Sequence, residues 1–250
     1  MTSQPAAQFA ATTEDFIHNL SAVHSRISAA ASAAGRQGDG VRLLPVTKTV
    51  PAERLRLAIA AGVDTLGENK VQEALAKSEE LADLPHLRYA IIGPLQRNKA
   101  KFVARFAHEF HALDSLRLAE TLQRQLDEQD RSLEVYIQVN TSGEETKSGL
   151  AAADAAELAR DLAPLDRLVL RGLMTMATNT TEEQVIRSCF RDLRDCASQV
   201  RQHVAVPEQF TELSMGMSGD FELAIAEGAT VVRVGQGIFG ARQYPQRAVG

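Results

Sequence analysis

Apolar positions along the chain switch repeatedly between two periods. From Thr13 onward, Phe16, Leu20, Val23, Ile27, Ala30 and Ala34 recur at helical spacing. Thr12 or Thr13 is available as N-cap and Gly35 as terminator. The loop Gly35 to Gly40 then leads to a continuous apolar run ending in a charge, Leu43 to Lys48, which reads as a buried strand. Seven more runs predict strands over Val63–Asn69, Leu87–Gly93, Glu109–Leu113, Leu133–Asn140, Leu168–Met176, Phe210–Met215 and Thr230–Gly235. Helical spacing fills the gaps, over Pro51–Ala61, Lys70–Leu81, Asn98–Phe106, Ser115–Asp130, Ala151–Ala163, Glu182–His203 and Asp220–Glu227. Residues 1–12 predict a frayed tail, and Thr141 to Gly149 a polar loop.

Strands alternating with helices imply a parallel sheet, and eight such units imply closure into a barrel. The predicted fold is α/β, a single (β/α)8 TIM barrel with an extra N-terminal helix, and an open doubly wound sheet is the alternative. No charge run or Pro/Gly/Ser linker divides residues 1–250, so one domain is expected. The chain ends soon after strand eight without the usual closing helix, and the N-terminal helix is expected to cover that gap.

Twenty-seven basic against 32 acidic residues give a net charge of −5, which argues against a general nucleic-acid or membrane-surface binder. No apolar run approaches the roughly 18 residues of a membrane span. The opening residues lack the basic start and apolar core of a signal peptide. The two cysteines, Cys189 and Cys196, lie two helical turns apart, about 10.5 Å, beyond the reach of a disulfide at about 7 Å. Reduced thiols and a cytoplasmic location are therefore expected.

A barrel keeps its active site at the C-terminal ends of its strands. The residues there are Lys48, Glu68 and Asn69, Gly93, Asp114, Asn140, Met174 to Met176, Ser214 to Ser218, and Arg233 to Gly237. Closure makes strand eight the neighbour of strand one, so Lys48 and Arg233 meet although 185 positions apart. Lys48 either snorkels to water or reacts. Gly235-Gln236-Gly237 lies where barrels commonly hold phosphate, although a plain turn explains it equally well. Ser218 either caps the following helix or binds an anion there. Arg233, within an apolar Val-Val-Arg-Val strand, needs an anion, an acceptor or a salt bridge. A lysine, a phosphate cradle and an arginine at one mouth suit a phosphorylated aldehyde cofactor, because lysine forms Schiff bases with carbonyls. Only roughly one lysine in 2,500 is neutral at pH 7, and partial burial raises that fraction.

Other candidates are weaker. His108-Glu-Phe-His111 has a metal-like spacing but enters a strand from its N-terminal side, so no metal is expected. Met174, Met176, Met215 and Met217 read as pocket or core filler. No nucleophile elbow, Walker loop or dinucleotide fingerprint is present.

With these residues assembled, the sequence resembles the pyridoxal-phosphate homeostasis proteins, relatives of the barrel domain of alanine racemase, over residues 13–242. The carriers are Val46-Thr-Lys48-Thr, Gly67-Glu-Asn69-Lys-Val-Gln-Glu73, Ile92-Gly-Pro-Leu-Gln-Arg-Asn-Lys99, Gln138-Val-Asn140, Lys147-Ser-Gly149, Arg171-Gly-Leu-Met174, Leu213-Ser214-Met-Gly-Met-Ser218 and Val232-Arg-Val-Gly235. The resemblance implies pyridoxal 5'-phosphate held as a Schiff base on Lys48. It also implies phosphate binding by Ser218 and the Gly235-Gln236 backbone, Arg233 near the pyridine nitrogen, and Asn69 and Asn140 lining the ring pocket. Met174 and Ser214 join the expected site from the same motifs. Two departures stand out: Tyr89-Ala90-Ile91 replaces the usual Trp-His-Phe, and Lys70 replaces a usual tyrosine.

By the same likeness the protein is a carrier in vitamin B6 homeostasis without an established reaction, with cofactor-dependent apo-enzymes as recipients and a monomer as the expected state. The alternative is an amino-acid racemase or decarboxylase of the same fold. Racemases need a second acid/base, usually a tyrosine from an added β-domain, and that domain is not expected here because only ten residues follow Gly240. Tyr89 and Tyr136 lie within strands, and Tyr244 lies in the tail.

Overall fold

The computed structural model describes residues 9–144 and 148–240. Eight strands alternate with helices in the expected order: β1 (Arg42–Pro45), β2 (Thr65–Glu68), β3 (Arg88–Ile91), β4 (Glu109–Leu113), β5 (Leu133–Gln138), β6 (Leu168–Met174), β7 (Glu212–Met217) and β8 (Val231–Val234). Between and around them lie α1 (Thr13–Ala33), α2 (Ala52–Ala60), α3 (Val71–Glu80), α4 (Ala100–Phe106), α5 (Leu116–Asp127), α6 (Ala155–Asp161), α7 (Glu183–Val200), α8 (Phe221–Ala226) and α9 (Gln236–Phe239). All ladders are parallel, in the order β1-β8-β7-β6-β5-β4-β3-β2.

One parallel bridge, Val46 to Gly67, closes the ring between β1 and β2. The amide of Thr47 donates to the Gly67 carbonyl at 2.9 Å, while that of Val46 donates to Val234 on the other side at 2.9 Å. A Cβ on Gly67 would lie 2.9 Å from the Pro45 carbonyl oxygen, so the seam needs a residue without one. Pro45 has no N–H to give to a ladder, which leaves this junction sparsely bonded.

Most strands end earlier than their apolar runs predict, because the last residues of each run bend into the loops at the mouth. β7 runs later than predicted, through a register shift between Ser214 and Met217. Gly216 sits within it at φ 91°, where a Cβ would meet Ala224 and Phe221. The helix missing from the prediction exists as α9, four residues flanked by glycines and too short to show a period. The N-terminal helix packs on it: Phe16 meets Phe239 edge-to-face at 5.5 Å, and Asn19 Nδ2 donates to the Ile238 carbonyl at 2.9 Å.

Thr12 is the N-cap of α1, in a reciprocal capping box with Asp15. Of the residues expected to fray, 1–8 lie outside those described, but the segment from Phe9 is held. Ala10 is buried, its carbonyl accepts from Arg54 at 2.7 Å, and the same guanidinium lies 3.9 Å from the centre of the Phe9 ring. Cys189 and Cys196 are buried free thiols on α7. No helix among the described residues is long and apolar enough to cross a membrane.

The barrel interior is only partly apolar. Leu44, Ala90 and Val231 form a small cluster inside it, and around them a charged chain runs from the N-terminal end upward. Arg42 grips Glu109 with two bonds of 3.0 and 2.9 Å, and Tyr136 donates to Glu212 at 2.7 Å. Burial by itself would raise the Glu109 pKa, but His111 and Arg42 outweigh it and hold the group at about 2 against an ordinary 4.5. Burial lowers the His111 pKa from 6.5 and keeps the ring neutral. As pH falls through 6.5 and then 4.5, an unfolded chain takes up protons that the folded one refuses, so both groups make stability fall toward acid. Urea midpoints are therefore expected to drop below pH 6.5 and to go on dropping toward about pH 2, with a shallower acid slope in Glu109→Gln. An unchanged slope in that variant would contradict the assignment.

Candidate functional site

Two cavities lie at opposite ends of the barrel. The larger, about 780 Å3, opens at the N-terminal end, where Arg42, Arg88 and Arg171 face Glu109, Glu134 and Glu212. Each of those arginines is already within 3.1 Å of a carboxylate, so their charges are spent on one another. The smaller cavity, about 330 Å3, lies among the C-terminal strand ends.

Lys48 reaches the smaller cavity two residues beyond the seam bridge at Val46. It is half-buried. Asn69 is the residue after β2, Ser218 the residue after β7, Arg233 lies in β8, Gly235 follows it and Gln236 opens α9. Closure pairs Leu44 with Arg233 and Pro45 with Val234, which sets Lys48 and Arg233 at one rim. The Gly235 amide donates to Ser218 Oγ at 3.3 Å and ties the two final loops together. A Cβ at Gly235 would come 3.1 Å from the Val46 carbonyl, and one at Gly219 would meet nothing within 4 Å. Two glycine-bearing loops thus meet beside Ser218 on the cavity lining, with open space at Gly219.

Arg233 is 3% exposed. Its Nη1 donates to Ser214 Oγ and its Nη2 to the Thr175 carbonyl, each at 2.7 Å, and both acceptors are neutral. Burial brings its pKa down to about 10, against the pull of Asp220, so it stays cationic at neutral pH. A guanidinium carries five donors, and these two bonds leave capacity facing the cavity.

Below it, Ser214 Oγ lies 2.9 Å from His111 Nδ1, and His111 Nε2 lies 2.9 Å from Glu109 Oε2. Since His111 is neutral, the network assigns its N–H to Nε2, donating to Glu109, with Nδ1 accepting from the Ser214 hydroxyl. Ser214 then accepts from Arg233 without conflict, so the Glu109 charge steadies the guanidinium through two neutral groups.

Six of the nine expected residues line this cavity: Lys48, Asn69, Ser218, Arg233, Gly235 and Gln236. Three do not. Asn140 lies past the end of β5, where its side chain accepts from Ser142 Oγ at 2.8 Å and donates to the Glu144 carbonyl at 2.8 Å, shaping the loop. Met174 is buried in register between Gln138 and Ser214. Ser214 is fully buried and works behind Arg233. Lys147, quoted among the motif residues, lies outside the described residues.

Gln138 takes the lining position expected of Asn140, because the strand ends two residues sooner than its apolar run. Met176 and Met217, expected as pocket or core filler, stand on the pocket lining at 38% and 41% exposure. His111, not expected at the mouth because of its direction of entry, reaches Arg233 through Ser214, since alternation along β4 puts Glu109 and His111 on the inner face. His108 points elsewhere, its Nδ1 accepting from the Tyr89 amide at 3.1 Å. Of the two departures, Ala90 belongs to the interior cluster, while Lys70 is exposed and off the lining.

A (β/α)8 barrel with an amine, a buried guanidinium and two glycine-bearing loops at one mouth defines the class: a TIM-barrel protein with a cavity at the C-terminal strand ends. Residues 18–243 match the family model described as "Alanine racemase, N-terminal domain". The pyridoxal phosphate homeostasis protein of Pseudomonas aeruginosa is 44% identical over 226 residues, covering 90% of this chain and 95% of that one. The protein of the same name from Escherichia coli K12 is 42% identical over 235 residues, covering 93% and 99%. Among solved structures, PipY of Synechococcus elongatus with PLP bound superposes with a TM-score of 0.79 at 36% identity, covering 90% of this chain and all of that one. The chain belongs to the pyridoxal phosphate homeostasis protein family, within the alanine racemase N-terminal fold.

Ser214→Ala removes one acceptor from Arg233 and one donor from His111, both buried. The expected loss is about 1–3 kcal/mol of stability, read as a lower urea midpoint, and an unchanged midpoint would contradict the network.

Proposed function

We propose that this protein binds pyridoxal 5'-phosphate in the mouth cavity, carries it as a Schiff base on Lys48, and serves vitamin B6 homeostasis rather than catalysis. The observation that carries the reading is the meeting of Lys48 and Arg233 in one cavity with the Ser218 and Gly235 cradle. The residues suit the ligand chemically. Ser218 and the Gly235-Gln236 backbone supply donors for phosphate oxygens, Asn69 and Gln138 offer polar edges to the ring, and Arg233 offers an N–H to an acceptor nitrogen. The neutral Lys48 amine adds to the aldehyde carbon, the C=N bond forms, and the carbonyl oxygen leaves as water. Pyridoxal phosphate in general supplies an electron sink, which is strongest when its ring nitrogen is protonated. A cationic Arg233 donating to that nitrogen keeps it unprotonated, which favours storage over amino-acid chemistry.

The surroundings of the tyrosines support the same reading. Tyr89 packs outward, edge-to-face on Phe106 at 5.5 Å, and the Tyr136 hydroxyl is engaged with Arg42 and Glu212 deep in the interior. Neither lines the cavity, and Tyr244 lies outside the described residues. In this reading the protein acts as a cytoplasmic monomer that hands its cofactor to apo-enzymes.

The purified protein is expected to be yellow after loading, and borohydride, which adds hydride to the imine carbon, is expected to fix the cofactor's mass on Lys48. A label on another lysine, or none after saturation, would reject the assignment. Against the enzyme alternative, a panel of amino acids given to the loaded protein is expected to show no sustained turnover. Steady conversion of any of them would make the protein a racemase or decarboxylase instead.

A further inference from the structure

Lys48 is flanked by Thr47 and Thr49, and both flanks are held from one point that lies outside the cavity. Thr47 is fully buried, and Lys77, on the inner face of α3, is 6% exposed. The Lys77 Nζ donates to three oxygens: the Thr47 carbonyl at 2.8 Å, Glu68 Oε1 at 2.7 Å and Glu73 Oε1 at 2.7 Å. An ammonium has three donors, so this set uses all of them. The two carboxylates carry the grip further. Glu68 Oε1 accepts from the Thr47 hydroxyl, and Glu73 Oε1 accepts from the Thr49 amide, both at 2.5 Å. Thr49 has φ 66°, a left-handed conformation that a β-branched residue adopts only when its surroundings impose it.

The cluster is a costly way to fill that space. It buries an ion group where apolar packing is often equal or better, and it leaves Glu68 Oε2 buried without a hydrogen-bond partner. Its bonds outside itself go to the two residues on either side of Lys48. We infer that Lys77 is a positioning residue for Lys48: with Glu68 and Glu73 it locks the Thr47–Thr49 turn so that the Lys48 amine meets a carbonyl ligand in the cavity. The inference rests on the proposed role of Lys48 and goes beyond it by naming what aims that side chain.

The test compares pyridoxal phosphate with pyridoxine phosphate, which keeps the ring and phosphate but has no aldehyde. In Lys77→Met, whose side chain has similar length and no charge, Schiff-base formation followed by absorbance is expected to be roughly 10- to 100-fold slower. Affinity for pyridoxine phosphate, read by calorimetry, is expected to stay at the wild-type value. Glu73→Leu is expected to follow Lys77→Met, whereas Glu73→Gln, which keeps an oxygen for the Thr49 amide, is expected to stay near wild type. Should Lys77→Met fail to fold, the partly exposed Glu73 pair carries the comparison alone. Wild-type rates in Lys77→Met and Glu73→Leu would overturn the inference, as would equal losses for the two ligands, which would make the cluster a general structural support. Failure of the wild-type protein itself to label on Lys48 would overturn the underlying reading instead, and the two failures are separately visible.

Discussion

Closure of the barrel beside β1 is the constraint on which everything at the mouth depends. On one side β1 has a full parallel ladder with β8, and on the other a single bridge from Val46 to Gly67. The first contact brings Arg233 to Lys48, and the second fixes where β1 stops and the Lys48 turn begins. Gly67 permits the approach, because any side chain would run into the Pro45 carbonyl. A barrel left open at this seam would keep its strands and helices yet separate the two halves of the site.

Charge inside the barrel is arranged as a direction rather than as scattered pairs. The Glu109 carboxylate, the neutral His111, the Ser214 hydroxyl and the Arg233 guanidinium form one line, each group giving or taking a single proton without conflict. A buried guanidinium between two neutral oxygens would be expensive in isolation. The line offsets that cost by extending a carboxylate's influence to the cavity wall, while Arg42 stabilises the carboxylate at its far end. The result is a cation on the cavity lining whose two bonded acceptors are both neutral.

The same division of labour appears around Lys48. The cavity wall holds the groups that would touch a ligand, and a separate ion cluster behind β1 and β2 holds the backbone that carries the amine. Both clusters end on residues of the mouth. Backbone strain at Thr49 is where the second cluster delivers its effect.

Periodicity by itself determined much of this protein. Local apolar spacing is enough to mark eight strands, the helices between them, a cap at Thr12 or Thr13 and the parallel sheet they imply, because each depends on residues a few positions apart. Residue type and strand position were also enough to bring Lys48, Asn69, Ser218, Arg233, Gly235 and Gln236 forward as one group. The exact strand ends were decided only in three dimensions, since a strand stops where its neighbour's ladder stops, and so Gln138 rather than Asn140 faces the cavity. Four-residue α9 was invisible for want of a period, and the docking of Ala10 because it depends on Arg54 in a distant helix. The paths from Glu109 to Arg233 and from Lys77 to Lys48 join residues far apart in the chain, and no spacing rule links a buried charge to its partner before the barrel has closed.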